Sequence, residues 1–233
     1  MTMMHTTSDL LQLPEKVVAG TTLRHQFREH GYVLLRQLLT PAGLLTLQEE
    51  LQRLETVATR RDFEMQCMNN SPRHMTTVGG HIIEHESELI PALYADPMLV
   101  EVLRAITELP LMSVEDALER HVANFLHRPG DTHGAHFDDF PVAMILFVEA
   151  PADPEAGGVL EYVPNTDDLT SVDTDLVRRA FHEAGDAYVL RSDTTAHRVT
   201  ALSRDARRVV LNFAYATPES CSMTTDSASL LYG

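Results

Sequence analysis

The sequence contains no tryptophan and only two cysteines in 233 residues. Its basic side chains are few, 18 lysines and arginines against 34 aspartates and glutamates. Cys67 and Cys221 form no CxxC pair and no zinc-ribbon spacing. A disulfide framework is therefore not expected, and a reducing, cytoplasmic setting fits best. The formal charge of −16 argues against nucleic acid as a partner, because counterion release from a polyanion needs clustered cations. It argues equally against an anionic membrane surface. Long apolar runs are also missing. The longest, Val142 to Val148, falls far short of the ~20 residues that span a bilayer. Met1 to Lys16 lacks a positive stretch followed by an apolar one, so no secretory signal is expected. No internal repeat or low-complexity linker interrupts the chain.

Apolar residues make up 44% of the chain, enough for one well-buried core. A single domain, 1–233, is the expectation. Residues 1–109 read as a mostly helical cap. Thr22 to His30 is a short amphipathic segment, and Gly31 to Leu35 is strand-like. Thr40 is suited to cap a helix with Pro41 at its first position, and Leu44, Leu45, Leu47, Leu51 and Leu54 follow at helical spacing. Another helix is predicted from Pro97 to about Thr107. Cys67 to Gly80, polar and rich in Asn, Thr and Gly, reads as loop. From residue 110 to 217 short β-rich runs alternate with Pro, Gly and Asp clusters: His121 to His127, Val142 to Glu149, Gly158 to Val163, Ala187 to Arg191 and Arg208 to Thr217. Ser171 to Glu183 looks like a helical insertion, and 218–233 is a tail. This texture is that of an α+β, mainly β fold, a cupin-like jelly roll or double-stranded β-helix under a helical cap. A plain β-sandwich would give the same pattern.

The chemistry concentrates in His127-Arg-Pro-Gly-Asp-Thr-His-Gly-Ala-His-Phe-Asp-Asp-Phe140. His136 and Asp138 stand two apart, so on a strand they share a face. His197, in Thr194-Thr-Ala-His-Arg-Val199, is the candidate third ligand. Two histidines and one carboxylate on one side of an ion leave the other side open. That is the facial triad of non-haem Fe(II) oxygenases, which take a 2-oxo acid and O2 at the open positions. Arg208 heads the strand Arg208-Val-Val-Leu-Asn-Phe213, where its forked guanidinium can grip the distal carboxylate of 2-oxoglutarate. Arg207 points the other way if the segment is extended. A zinc hydrolase or a cupin-type isomerase could use the same scaffold, though no HExxH glutamate is present. A non-catalytic sensor would be expected to have lost a ligand or the arginine.

The stretch from Asn124 to Thr166, with HRPGDTHGAHFDD, VAMILFVEAP and GGVLEYVPNT, resembles the free-amino-acid halogenases and hydroxylases of the 2-oxoglutarate/iron superfamily. The likeness continues through GDAYVLRSDTTAHRV and RRVVLNFAYAT and reaches back to Ser71-Pro-Arg73. More distantly the chain resembles the phytanoyl-CoA dioxygenase-like group. The resemblance implies Fe(II), 2-oxoglutarate and O2 as cofactors and a free amino acid as substrate. Halogenases of this family carry glycine where the hydroxylases carry the metal carboxylate, which opens a site for chloride. Asp138 stands at that position, so the resemblance implies hydroxylation, with desaturation as its sibling outcome. Arg73 matches a basic residue that would hold the substrate carboxylate. Glu119, His133, Asp139 and Asn212 match polar residues lining the amino-acid site. The chain departs from the lysine-acting members: they close over the substrate with aromatic residues near the C-terminus, whereas here there is no tryptophan and the tail is Leu230-Leu-Tyr-Gly233. Ala214 replaces a hydroxylated residue found in some members.

Overall fold

The computed structural model describes residues 7–224 and 226–233. Its strands are β1 (Tyr32–Leu35), β2 (Thr59–Met65), β3 (Ser71–Val78), β4 (Met112–Ser113), β5 (His121–Leu126), β6 (Thr132–His136), β7 (Val142–Glu149), β8 (Leu160–Pro164), β9 (Arg178–Ala180), β10 (Ala187–Leu190), β11 (Thr195–Val199) and β12 (Arg208–Ala216). They form one antiparallel sheet in the order β1-β10-β7-β12-β5-β3-β6-β11-β8-β9, with β2 beside β3 and β4 beside β12. The sheet curls into the half-barrel of a jelly roll, as the strand texture predicts.

The helices are α1 (Thr7–Leu10), α2 (Lys16–Val18), α3 (Arg24–His30), α4 (Pro41–Glu55), α5 (Gly80–Glu86), α6 (Leu89–Tyr94), α7 (Pro97–Thr107) and α8 (Asp226–Tyr232), with a π-helical turn, Ala19–Leu23, ahead of α3. The first residues of α4 do what the sequence requires. Gly43 N–H donates to Thr40 Oγ1 at 2.9 Å and Pro41 opens the helix, a cap that contributes ~1 kcal/mol. Asp96 caps α7 in the same way, accepting from Leu99 N–H at 2.9 Å. Each helix buries one apolar stripe, Leu47, Leu51 and Leu54 on α4 and Leu99, Val102, Leu103 and Ile106 on α7. No helix among the described residues is long and apolar enough to cross a membrane.

Period-two alternation then decides which side chains face the helices and which face the barrel interior. On β7, Val142, Met144, Leu146 and Val148 join the large core with the helices. Ala143, Ile145 and Phe147 turn to the opposite face and meet Tyr162, Tyr188, Leu190 and Val210. Both faces of β7 are thus buried, which is why it reads as an unbroken apolar run.

Two sequence expectations are corrected. Cys67 to Gly80 is not a loop, because β3 starts at Ser71 and pairs with β2, β5 and β6. Ser71, Arg73, Thr76 and Thr77 misled because these polar side chains are buried rather than facing water. Ser171 to Glu183 is not a helix. A short 3-10 turn, Leu169–Asp173, is capped by Asp168, and β9 then pairs with the edge of β8. The strand satisfies its backbone groups there instead of within a helix. The sheet also draws β1, β2 and β3 from the segment expected to be mostly cap. The tail folds back as α8, where Leu231 O accepts from Thr77 Oγ1 at 3.0 Å and Gly233 O from Arg61 Nη2 at 2.6 Å.

Candidate metal centre and substrate pocket

His136 is the last residue of β6, and His197 on β11 lies directly opposite it in register. Asp138 falls just beyond the strand, where its N–H donates to Ser192 O at 3.1 Å. Asp138 Oδ1 lies 3.5 Å from His136 Nε2 and 3.7 Å from His197 Nε2. One ligand atom from each of the three lies within 4.8 Å of the other two, close enough for the three to share one ion. The tautomers fit as well. His136 Nδ1–H donates to Gly134 O at 2.7 Å and His197 Nδ1–H to Thr195 O at 2.9 Å. Each imidazole is thereby turned so that a lone pair on Nε2 faces Asp138. Burial holds His136 well below its ordinary value, in the neutral form that ligates. Burial also lifts the Asp138 carboxyl, although 24% of its side-chain surface stays open. A divalent cation would supply the missing countercharge.

Close strand packing sets this geometry. A Cβ on Gly134 would meet Pro72 N at 2.7 Å, so only glycine lets β6 approach β3 there. Across that contact Arg73 pairs with His133, whose ring stacks on His136 with centroids 4.0 Å apart.

Arg208 is 3% exposed and lies on the concave face of β12. Its guanidinium carbon sits 4.9 Å from the centre of the Phe147 ring, and burial lowers its pKa while the neighbouring Tyr188 raises it. Among the described residues no carboxylate pairs with it, and its Nε has no hydrogen-bond partner. A buried cation in that condition has room for an incoming anion. Gly158, at φ +70°, keeps the space beside it, since a Cβ there would press on Arg208 Cδ at 3.2 Å. Arg207 faces outward and pairs with Glu55 and Glu149 at 2.8 and 2.9 Å.

The five residues matched to a substrate site converge. Arg73, Glu119, His133, Asp139 and Asn212 line one pocket with His136 and Asp138. Arg73 Nε, Glu119 Oε2, His133 Nε2 and Asn212 Oδ1 are buried there without hydrogen-bond partners among the described residues. Burial lowers Arg73 to about 10. Burial, then the charges of Asp139 and Asp138, raise Glu119 to about 8. Sequence reasoning missed the contribution of the tail. Leu231 and Tyr232 on α8 close the pocket, and Ser227 Oγ donates to Asp139 Oδ2 at 2.8 Å. Only the aromatic at position 232 hinted at this.

Solved structures share the fold. The epimerase SnoN, in complex with Fe3+, alpha ketoglutarate and nogalamycin RO, superposes with a TM-score of 0.70 at 16% identity, over 92% of this chain and 90% of that one. HygX from Streptomyces hygroscopicus, with nickel and 2-oxoglutarate bound, gives 0.63 at 13% identity over 85% and 87%. A Pseudomonas putida prolyl-4-hydroxylase gives 0.59 at 16% over 85% and 98%. No curated protein matches the sequence. The chain thus shares its fold with 2-oxoglutarate-dependent enzymes and carries the two histidines and one carboxylate of a facial metal site. It belongs to the Halogenase D family, whose model matches residues 16–230.

Proposed function

We propose that the protein hydroxylates a C–H bond of a free L-amino acid, using Fe(II), 2-oxoglutarate and O2. The observation that carries this reading is the set of unpartnered buried polar atoms beside the triad, a guanidinium nitrogen facing the same pocket as carboxylate and amide oxygens. A zwitterion satisfies both signs at once, whereas a neutral or singly charged molecule leaves one uncompensated.

When bound at His136, Asp138 and His197, the iron supplies the oxidising chemistry, drawing on O2 and on conversion of 2-oxoglutarate to succinate and CO2. The rest falls to the side chains. Arg73 holds the substrate carboxylate, and Glu119 and Asp139 receive the ammonium. Asn212 and His133 fix the remaining hydrogen bonds, so that one C–H is held toward the metal. Arg208 grips the distal carboxylate of the co-substrate. Met65, Val122, Phe140 and Leu231 keep water from the aliphatic part. Asp138, a carboxylate where the halogenases have glycine, takes the position that chloride would need, which favours hydroxylation.

The test is succinate release with each free amino acid set against its N-acetyl and carboxamide forms. Turnover is expected only when both charged ends are present. Equal turnover of a blocked form would refute the zwitterion reading.

A further inference from the structure

The barrel interior beyond the metal holds a buried histidine that the mechanism above does not use. His182 lies between β9 and β10 and is 2% exposed. Its ring is stacked on Phe147, with centroids 4.4 Å apart and planes 19° apart. Phe147 is the same ring over which Arg208 lies at 4.9 Å. His182 Nε2 shares a hydrogen bond with the Tyr32 hydroxyl at 2.9 Å, and its Nδ1 has no partner among the described residues. Tyr32 is itself stacked on Tyr162 at 5.0 Å, and Tyr162 is the register partner of His197. A chain of ring contacts therefore runs from β8, the strand paired with the one bearing His197, through Tyr32, His182 and Phe147 to Arg208.

We infer that His182 is a positioning residue for the co-substrate: pinned by Tyr32, it fixes the Phe147 ring as the platform on which Arg208 is aimed at a distal carboxylate. This rests on the reading of Arg208 given above. The physical need is clear. Among the described residues Arg208 has no carboxylate to hold it, and a guanidinium on a flexible stem loses bidentate geometry unless something else sets its plane. Phe147 does that only if its own ring cannot turn, and the imidazole stacked against it blocks the rotation. A leucine would fill the space without burying an unsatisfied nitrogen. The imidazole is favoured because it stacks flat and can also be tied to Tyr32. Burial, aided by the Arg208 charge, holds His182 at about 3, so the neutral ring adds no repulsion beside the guanidinium.

The experiment measures binding by calorimetry on the Ni(II)-loaded protein, which needs no turnover. Two ligands are compared, 2-oxoglutarate and 2-oxopentanoate, the latter with a methyl group in place of the distal carboxylate. His182→Ala is expected to weaken 2-oxoglutarate about tenfold while leaving 2-oxopentanoate within about twofold. His182→Phe and Tyr32→Phe keep a ring in place and lose only the pin, so each should weaken 2-oxoglutarate about threefold. These two variants carry the test if His182→Ala does not fold. Loss of affinity for both acids alike, or for neither, overturns the inference. Arg208→Met is the separate control. If it fails to abolish the preference for the diacid, the reading of Arg208 itself is wrong; if it abolishes the preference while the His182 and Tyr32 variants do not, only the role of His182 falls.

Discussion

Arg207 and Arg208 are neighbours in the chain and face opposite sides of the sheet. Arg207 is tied to Glu55 and Glu149 at the surface, and Arg208 is buried against Phe147 with no carboxylate partner among the described residues. The register of β12 on β7 shifts between Val209 and Val210, and this bulge sits beside the pair, where such irregularities commonly re-aim side chains.

The pair gives a clean contrast. Arg208→Lys keeps the charge but loses the fork, so the KM for 2-oxoglutarate should rise by about tenfold or more. Arg207→Lys should leave that KM unchanged and lower stability by at most about 1 kcal/mol, the usual worth of an exposed pair. Steady-state kinetics and thermal melts check both. A larger kinetic effect at Arg207 would show that the strand faces the other way.

Each of His136→Ala, Asp138→Ala and His197→Ala is expected to abolish succinate formation while leaving the far-ultraviolet circular dichroism unchanged. Metal affinity should also fall with acid. Burial already keeps His136 neutral, so it has no proton to expel. Burial raises Asp138, so protons compete with the metal there as the pH drops. Metal titrations at several pH values, with proton release measured alongside, read this out. Affinity independent of pH, or metal-dependent turnover surviving loss of His197, would show the ligand set to be misassigned.

How much of this was legible beforehand follows from how local each signal is. The triad, Arg208, the cap at Thr40 and the helix start at Pro97 are short motifs whose spacing carries their geometry. Pro72 and the polar run around it hid β3, because a strand buried among polar partners lacks the apolar alternation that marks strands. The burial of Arg73 comes from pairing with His133, which no local pattern announces. Tyr232 and Ser227 enter the pocket only through the fold-back of α8, a contact nearly a hundred positions away from Asp139. The helix expected at Ser171 to Glu183 failed because the open edge of β8 offered β9 a ladder.

Glu119 gives a pH signature. Its folded value is raised to about 8 by burial and then by Asp139 and Asp138. A raised carboxyl contributes stability that is present below its ordinary value of 4.5 and lost as the pH climbs through about 8. The melting temperature of the substrate-free protein should therefore decline across that window, and Glu119→Gln should flatten the decline. The same variant should raise the substrate KM, because an amide cannot neutralise an ammonium. An unchanged melting profile together with an unchanged KM would remove Glu119 from the site.

Tyr232 is 6% exposed and lines the pocket from α8. Tyr232→Ala should open that wall, raise the substrate KM and let succinate form without matching product. The KM for 2-oxoglutarate should stay the same, since Arg208 does not touch this face. Comparing succinate with product, and the two KM values with each other, separates a pocket wall from a general loss of folding.

The most direct measurement is mass spectrometry of the product formed by the wild-type protein with Fe(II), 2-oxoglutarate, ascorbate and abundant chloride, screened against the free proteinogenic amino acids. We expect one amino acid to gain a single oxygen atom, or to lose two hydrogens, in step with succinate. A chlorinated product made with Asp138 in place, or metal-dependent turnover without succinate, would contradict the account.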